Sequence, residues 1–421
     1  MPDNPAHSTW LRDVTAIAIG LAVPAMVSGR AVLQGIAAAA LIAVLIVAWQ
    51  DRGVFARAGA AVRSRFGMAV MVAFAAMAIS IPGSLDPLRS FDAWARTGVY
   101  LGGCVLFQSF LSTDASARRL CVKMLVAGCV AGLLVVAVAM LGWTLPLQIL
   151  KNEPTVTSRG WGFATPKAYA AAIACAFPVL AWLSWRLTGR WRMAAVAAMV
   201  LSAVVVIETG NKSALAGWLA MILAVTLAIA LRSGRRWLAI WPAFAILVSG
   251  MILAGVTMMP DVAPSRAVWP WIPAELVDTH RQQIWRFTLD RIAETPLTGR
   301  GINVIDRVAG ANDTIPGYHA EKLPSHPHNW VLEILAETGV LGFIPVLFAV
   351  AWFAWRQLAQ FMSSGDGSHL AQLGLIATFW TSSLFNFSIW SSWWLITFFL
   401  LSAIVAGNSG PRPPDTPAVR R

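Results

Sequence analysis

The residues with chemistry to offer gather in one stretch, Ser325-His326-Pro327-His328-Asn329-Trp330-Val331-Leu332-Glu333-Ile334-Leu335-Ala336-Glu337-Thr338-Gly339. His328 stands where a polar, proline-punctuated loop runs into a long apolar segment. A helix N-terminus carries partial positive charge and so favours a neutral imidazole. A neutral histidine is a general base near neutral pH. The blander alternative for His328 is a structural side chain that caps the helix or bonds a loop carbonyl. Asn329, Glu333 and Glu337 recur at intervals of four, so a helix places them on one face. Glu337 then lies roughly two turns inside the apolar segment, where an arginine from a neighbouring span is its expected partner. Ionisable groups at that depth are costly and mark function by default.

A second set is cationic. Arg89, Arg96, Arg159, Lys212 and Arg281 come from separate stretches that fall near the same membrane surface. An arginine fork suits phosphate oxygens through two parallel hydrogen bonds, whereas lysine is a compact point charge. Converging, these groups would hold a lipid pyrophosphate. Singly, each would be an interfacial cation, and Glu208 offers Lys212 a plain salt bridge four residues away. His280, His319, His326 and His328 raise the question of zinc, but His-Pro-His lacks a usual ligand spacing, and no metal is expected. No P-loop, GxGxxG or Asp-x-Asp stands on the side read as cytoplasmic, which leaves nucleotide chemistry unsupported.

The elements that must position these groups are membrane spans. The 421 residues are 57% hydrophobic, with mean hydropathy +0.65 and only 12% charged. A soluble chain carries about twice that charge fraction. The net charge of +12 sits mostly in inter-span loops, so topology accounts for it and nucleic acid is not implied. The fold class is an all-α polytopic membrane protein with about twelve transmembrane helices. Spans are expected at 14–28, 31–49, 67–83, 94–112, 121–142, 168–187, 193–208, 213–231, 237–257, 330–355, 370–388 and 391–407. The first is read as an uncleaved helix, not a signal peptide. Cys104, Cys121, Cys129 and Cys175 all fall in apolar segments and read as small buried hydrophobes.

Arginines and lysines in alternate short loops put Arg52, Arg57, Arg63 and Arg65, and later Arg186, Arg190 and Arg192, on the cytoplasmic side. Both termini are then cytoplasmic, and residues 410–421 form a disordered tail. The organisation reads as spans one to nine over 1–257, one large periplasmic loop over 258–329, and spans ten to twelve over 330–409. Inside the loop, 260–273 reads as irregular. From Glu275 to Glu294, Leu276, Ile284, Phe287, Leu289 and Ile292 trace an amphipathic helix that Pro296 and Gly299 end.

His328-Asn329, then Gly339 and Gly342, resembles the signature of the O-antigen ligase/polymerase superfamily. Arg159-Gly160-Trp161-Gly162, Leu85-Asp86-Pro87-Leu88-Arg89, and Arg281 and Trp285 with Pro296-Leu297-Thr298-Gly299-Arg300-Gly301 resemble other parts of it in order. The likeness runs from about residue 80 to 400. The family commonly has an arginine at the start of the eighth span, where Lys212 stands here; charge is kept and the bidentate fork is lost. The resemblance implies a GT-C-like, metal-independent glycosyltransferase in the bacterial inner membrane, its active site facing the periplasm and without cofactor. The implied donor is a glycan on undecaprenyl pyrophosphate, and the acceptor a sugar hydroxyl of lipid A-core. The implied roles are His328 as base and Arg159, Lys212, Arg281 and Arg89 at the pyrophosphate, with Asn329 and Glu337 in support. Alternatives are an O-antigen or exopolysaccharide polymerase, a protein O-oligosaccharyltransferase, and a flippase or transporter of lipid-linked glycans.

Overall fold

The computed structural model describes residues 5–152, 166–234, 236–246, 250, 279–315 and 320–409. Arg159, His319, most of the loop before residue 279, the end of the expected ninth span and the tail lie outside them. Among the described residues regular structure is helical apart from one isolated bridge between Thr314 and Glu321. The helices are α1 (Pro5–Ala22), α2 (Arg30–Gln50), α3 (Arg52–Arg63), α4 (Arg65–Met77), α5 (Pro87–Thr113), α6 (Ala115–Met140), α7 (Leu145–Lys151) and α8 (Lys167–Arg186). There follow α9 (Gly189–Glu208), α10 (Lys212–Arg232), α11 (Trp237–Ile246), α12 (Thr279–Glu294), α13 (Trp330–Ser364), α14 (Gly367–Ser382) and α15 (Ser392–Gly407).

Local sequence sets the starts of these helices. Asp51, Ser64, Asp86, Asp114, Asn211, Asn329 and Asp366 each accept first-turn amides with their side chains. Short polar side chains satisfy donors that a helix leaves open at its N-terminus. Six helices are long and apolar enough to cross a membrane: α2, α6, α8, α9, α10 and α13. A seventh span arises if α3 and the stretch Arg65–Ser80 are taken together across their 74° bend. The chain is thus a helical polytopic membrane protein, and by this measure its described spans fall short of twelve.

Three boundaries differ from expectation. The first expected span breaks at Ala22, because Pro24 opens a separate 3-10 turn, Pro24–Ser28. Residues 52–63, expected as a basic loop, form α3, which buries Val54 and Ala58 and leaves Arg52, Arg57 and Arg63 exposed. The expected eleventh span ends at Ser382, so residues 383–391 form a loop. That apolar run turns on local hydrogen bonds and on one bond from Ile389 N to Glu333 of α13, which the hydropathy pattern could not reveal.

Packing centres on α8, where Ala170 to Ala176 are all buried, and small side chains of this kind let membrane helices approach closely. α8 packs on α9 and α14, α10 packs on α14, and α5 on α15.

α13 contains the feature that positions the site. At Gly339 the backbone turns to φ 61°, ψ −171°, a region essentially reserved for glycine. The helix bonds that Val340 and Leu341 would make to Ala336 and Glu337 are exchanged. Val340 N donates to Pro296 O at 2.9 Å and Leu341 N to Leu297 O at 3.1 Å. In return Arg300 N donates to Ala336 O at 3.0 Å and Gly301 N to Glu337 O at 2.9 Å. The segment after α12 is therefore bonded into the break. A Cβ at Gly339 would stand 2.2 Å from Leu297 O. Gly339→Ala is expected to lower stability by about 2–5 kcal/mol, from backbone strain and overpacking together. The thermal midpoint of the purified protein in detergent measures this, and a midpoint equal to that of the native chain would contradict the account.

Candidate active site at the head of α13

His328 is the last residue before the Asn329 cap, which accepts from Val331 N at 3.0 Å and Leu332 N at 3.4 Å. Its own backbone is left-handed, at φ 54°, a conformation uncommon for a side-chain-bearing residue though less so for histidine. The turn is held because His328 N donates to His326 Nδ1 at 3.1 Å. The two rings lie 4.1 Å apart between centroids. Across the site, His328 Nδ1 is 2.6 Å from the carbonyl oxygen of Asn386. A carbonyl only accepts, so Nδ1 carries a proton, and in the neutral imidazole the lone pair is on Nε2.

α12 roofs this turn. Trp285 Nε1 donates to Pro327 O at 2.9 Å, and Ile284 and Trp285 pack with Leu332 and Ala336 of α13. The amphipathic period expected between Glu275 and Glu294 is thus real over α12, and its apolar face meets protein. Arg281, one turn before Trp285, is half-buried and close enough for its charge to act on His326. Burial, aided by His328 and Arg281, pushes the His326 imidazole down to about 3.

The two glutamates hold loops. Glu333, 1% exposed, accepts from Ser388 Oγ and from Ile389 N, the latter at 2.9 Å, and so pins the loop that carries Asn386. Glu337, also 1% exposed, accepts from Asn303 N at 2.7 Å, Val304 N at 3.0 Å and Ile305 N at 3.2 Å, and from the Trp390 indole. The expected arginine partner is therefore replaced by three backbone amides and an indole. Amides suit a carboxylate in a dry interior because they bring no second charge to be buried.

The cations divide. Lys212 opens α10 directly after the Asn211 cap, with its side chain exposed. Asn211 and Ser213 on either side of it connect to Asn386, since Asn386 Nδ2 donates to Ser213 Oγ at 2.9 Å and Ser213 Oγ to Asn211 Oδ1 at 2.7 Å. Lys212 thus belongs to the same bonded unit as His328. Arg89 pairs with Asp306 at 3.0 Å, while Arg307 pairs with Asp86, so the turn before α5 is clamped to the segment after α12. Arg96 bonds Asp92 at 2.8 Å and Ser392 Oγ at 3.0 Å. Arg159 lies outside the described residues. Among the described residues no cluster of three or more His, Cys, Asp or Glu is arranged to hold a metal ion.

Sequence reasoning missed Asn386, Ser213, Ser388 and Trp390. The signal for Asn386 was there, as a lone amide among Phe385, Phe387 and Trp390 in a segment read as membrane-spanning. A polar side chain in such a setting seeks a specific partner.

Fold and site together define a helical membrane protein with a histidine-headed turn roofed by an amphipathic helix. Residues 211–347, from the Asn211 cap through the Gly339 break, match the family model described as O-antigen ligase. That match supports the O-antigen ligase family likeness read from the motifs. A Rickettsia conorii protein named "Putative polysaccharide ligase" is 25% identical over 162 residues, 37% of this chain and 38% of its own. Proteins of the same name from Rickettsia felis and Rickettsia prowazekii are 26% and 22% identical, each over 161 residues, 37% of this chain and 39% of theirs. The chain thus covers well under half the length of these relatives.

A histidine held neutral in the fold is stabilising above its unfolded value of 6.5, and that contribution is lost as pH falls from 6.5 toward about 3. The thermal midpoint of the native chain is expected to fall across that window. His326→Ala is expected to flatten the slope in a melting series from pH 7 to pH 4, and an unchanged slope would contradict the assignment.

Proposed function

We propose that the chain is a metal-independent, GT-C-like glycosyltransferase of the bacterial inner membrane, working on the periplasmic face with both termini cytoplasmic. It moves an O-antigen glycan from undecaprenyl pyrophosphate to a sugar hydroxyl of lipid A-core. The observation that carries the reading is the Asn386 carbonyl at His328 Nδ1, which leaves Nε2 as a proton acceptor at the head of a span. The acceptor oxygen attacks the anomeric carbon of the donor sugar and its proton passes to Nε2. The bond from that carbon to the pyrophosphate oxygen breaks, and the pyrophosphate leaves with the electron pair.

Lys212, Arg281 and Arg159 bind the pyrophosphate and stabilise the charge that grows on it. Electrostatic stabilisation of this kind substitutes for a general acid on a leaving group that is already good. Arg89 takes a lesser part, since one of its nitrogens already serves Asp306. Asn329 and Glu337 act as supports, one by capping α13 and the other by holding residues 303–305. On the topology read from the sequence, His328, Lys212, Arg281 and Arg89 lie near one membrane face, which favours bond formation over translocation, since the latter needs groups at mid-membrane.

His328→Ala is expected to lower kcat by about 10²–10⁴-fold in reconstituted protein given lipid-linked glycan and lipid A-core. Lys212→Ala and Arg281→Ala are each expected to lower it by about 10²–10³-fold. A chelator should leave the native rate unchanged. In cells, loss of activity should leave polymer on the lipid carrier with uncapped lipid A-core, whereas single repeat units on the carrier would indicate a polymerase. Full transfer by His328→Ala would remove His328 as the base.

A further inference from the structure

We propose that Asn386 is a positioning residue that fixes the general base relative to the phosphate-binding end of α10. This rests on the reading of His328 as base and extends it. Asn386 is used at both ends. Its carbonyl oxygen meets His328 Nδ1 at 2.6 Å, and its side-chain amide donates to Ser213 Oγ at 2.9 Å. Ser213 passes the polarity on, donating to Asn211 Oδ1 at 2.7 Å, and Asn211 Nδ2 ends the chain on Lys167 O at 2.9 Å. Ser382 Oγ, at the end of α14, donates to Ser213 O at 2.9 Å and braces the same point.

Each member of this chain has one orientation available. Ser213 has a single proton, given to Asn211, so it must accept from Asn386, and the Asn386 amide group must face it. Asn211 and Ser213 are 5% and 4% exposed, so water does not compete for these bonds. A satisfied network in a low-dielectric interior is stiff and specifies one arrangement. Lys212 is covalently flanked by both of its α10 members.

The loop carrying Asn386 has further anchors on α13. Trp330 N donates to Ser383 O at 3.1 Å, and Glu333 takes Ser388 and Ile389. Those anchors hold the loop against the helix that bears His328. The Asn386–Ser213 bond joins the same loop to the helix that bears Lys212, beside the brace from Ser382. Displacement of a glycan from pyrophosphate requires the base on the acceptor side and the cation on the leaving side of one carbon. A misplacement of about 1 Å between them costs about 10²-fold in rate.

The test uses the full-length protein in liposomes, with the glycan on undecaprenyl pyrophosphate as donor and lipid A-core as acceptor. Asn386→Ala, Ser213→Ala and the double variant are compared for kcat, for KM of each substrate and for thermal midpoint. Each single change is expected to lower kcat by about 10–100-fold with both KM values within about twofold. The double variant is expected to be no worse than the weaker single variant, because both changes cut the same link. Asn386→Asp, which keeps the shape and removes the donor, is expected to show the same loss if an alanine variant does not fold. Retention of kcat in Asn386→Ala and Asn386→Asp would overturn the proposal, as would losses that multiply in the double variant. His328→Ala is run in parallel. If it is inactive while the Asn386 variants are not, positioning alone fails; if it retains transfer, the base reading itself fails.

Discussion

A carboxylate inside a helix that runs into lipid has no water to turn to, and Glu337 meets that constraint by drawing in backbone. Its two oxygens accept from three successive amides, Asn303 to Ile305, and from the Trp390 indole. Leaving such a group without partners would cost more than most side chains contribute. The segment after α12 is therefore held against α13, and the exchange of hydrogen bonds around Gly339 completes the attachment. The clamp of Asp86 and Arg89 with Arg307 and Asp306 ties the turn before α5 to the same segment. Glu333 repeats the device one turn earlier, on the loop that meets His328.

The two acidic residues in the apolar segment serve as acceptors for the backbone and side chains of two loops. Their regular spacing reflects a single helix face used to collect two loops. His328 stands at the end of that face, in a left-handed turn just before the Asn329 cap. The strain of that turn is offset by the bond from its amide to His326. His326 is kept neutral for the purpose, and the same bond explains why two histidines flank one proline.

Much of the frame was legible from residues alone. Hydropathy located the six long apolar helices, the stripe of Ile284, Phe287, Leu289 and Ile292 located α12, and Pro296 with Gly299 located its end. His328 at the head of α13 followed from a polar loop meeting an apolar run. What stayed hidden was pairing at long range. Nothing local says that Glu337 binds amides 32 to 34 residues earlier, or that Asn386 reaches Ser213 at a separation of 173. Residues 383–388 read as membrane span because their aromatic side chains carry the hydropathy, while local turns and the Glu333–Ile389 bond shape them into a loop. Residues 52–63 were misread as loop because arginines outweigh a buried stripe of only Val54 and Ala58.

The break at Gly339 also sets what can be exchanged between proteins of this kind. Because Val340 and Leu341 bond Pro296 and Leu297 in place of their own helix, the segment after α12 and the span are one interlocked unit. A chimaera joined between residues 301 and 330 would pair one parent's wedge with the other parent's gap. The segment after α12 is therefore transferable only together with the first three turns of α13, and a grafting boundary belongs below Leu341.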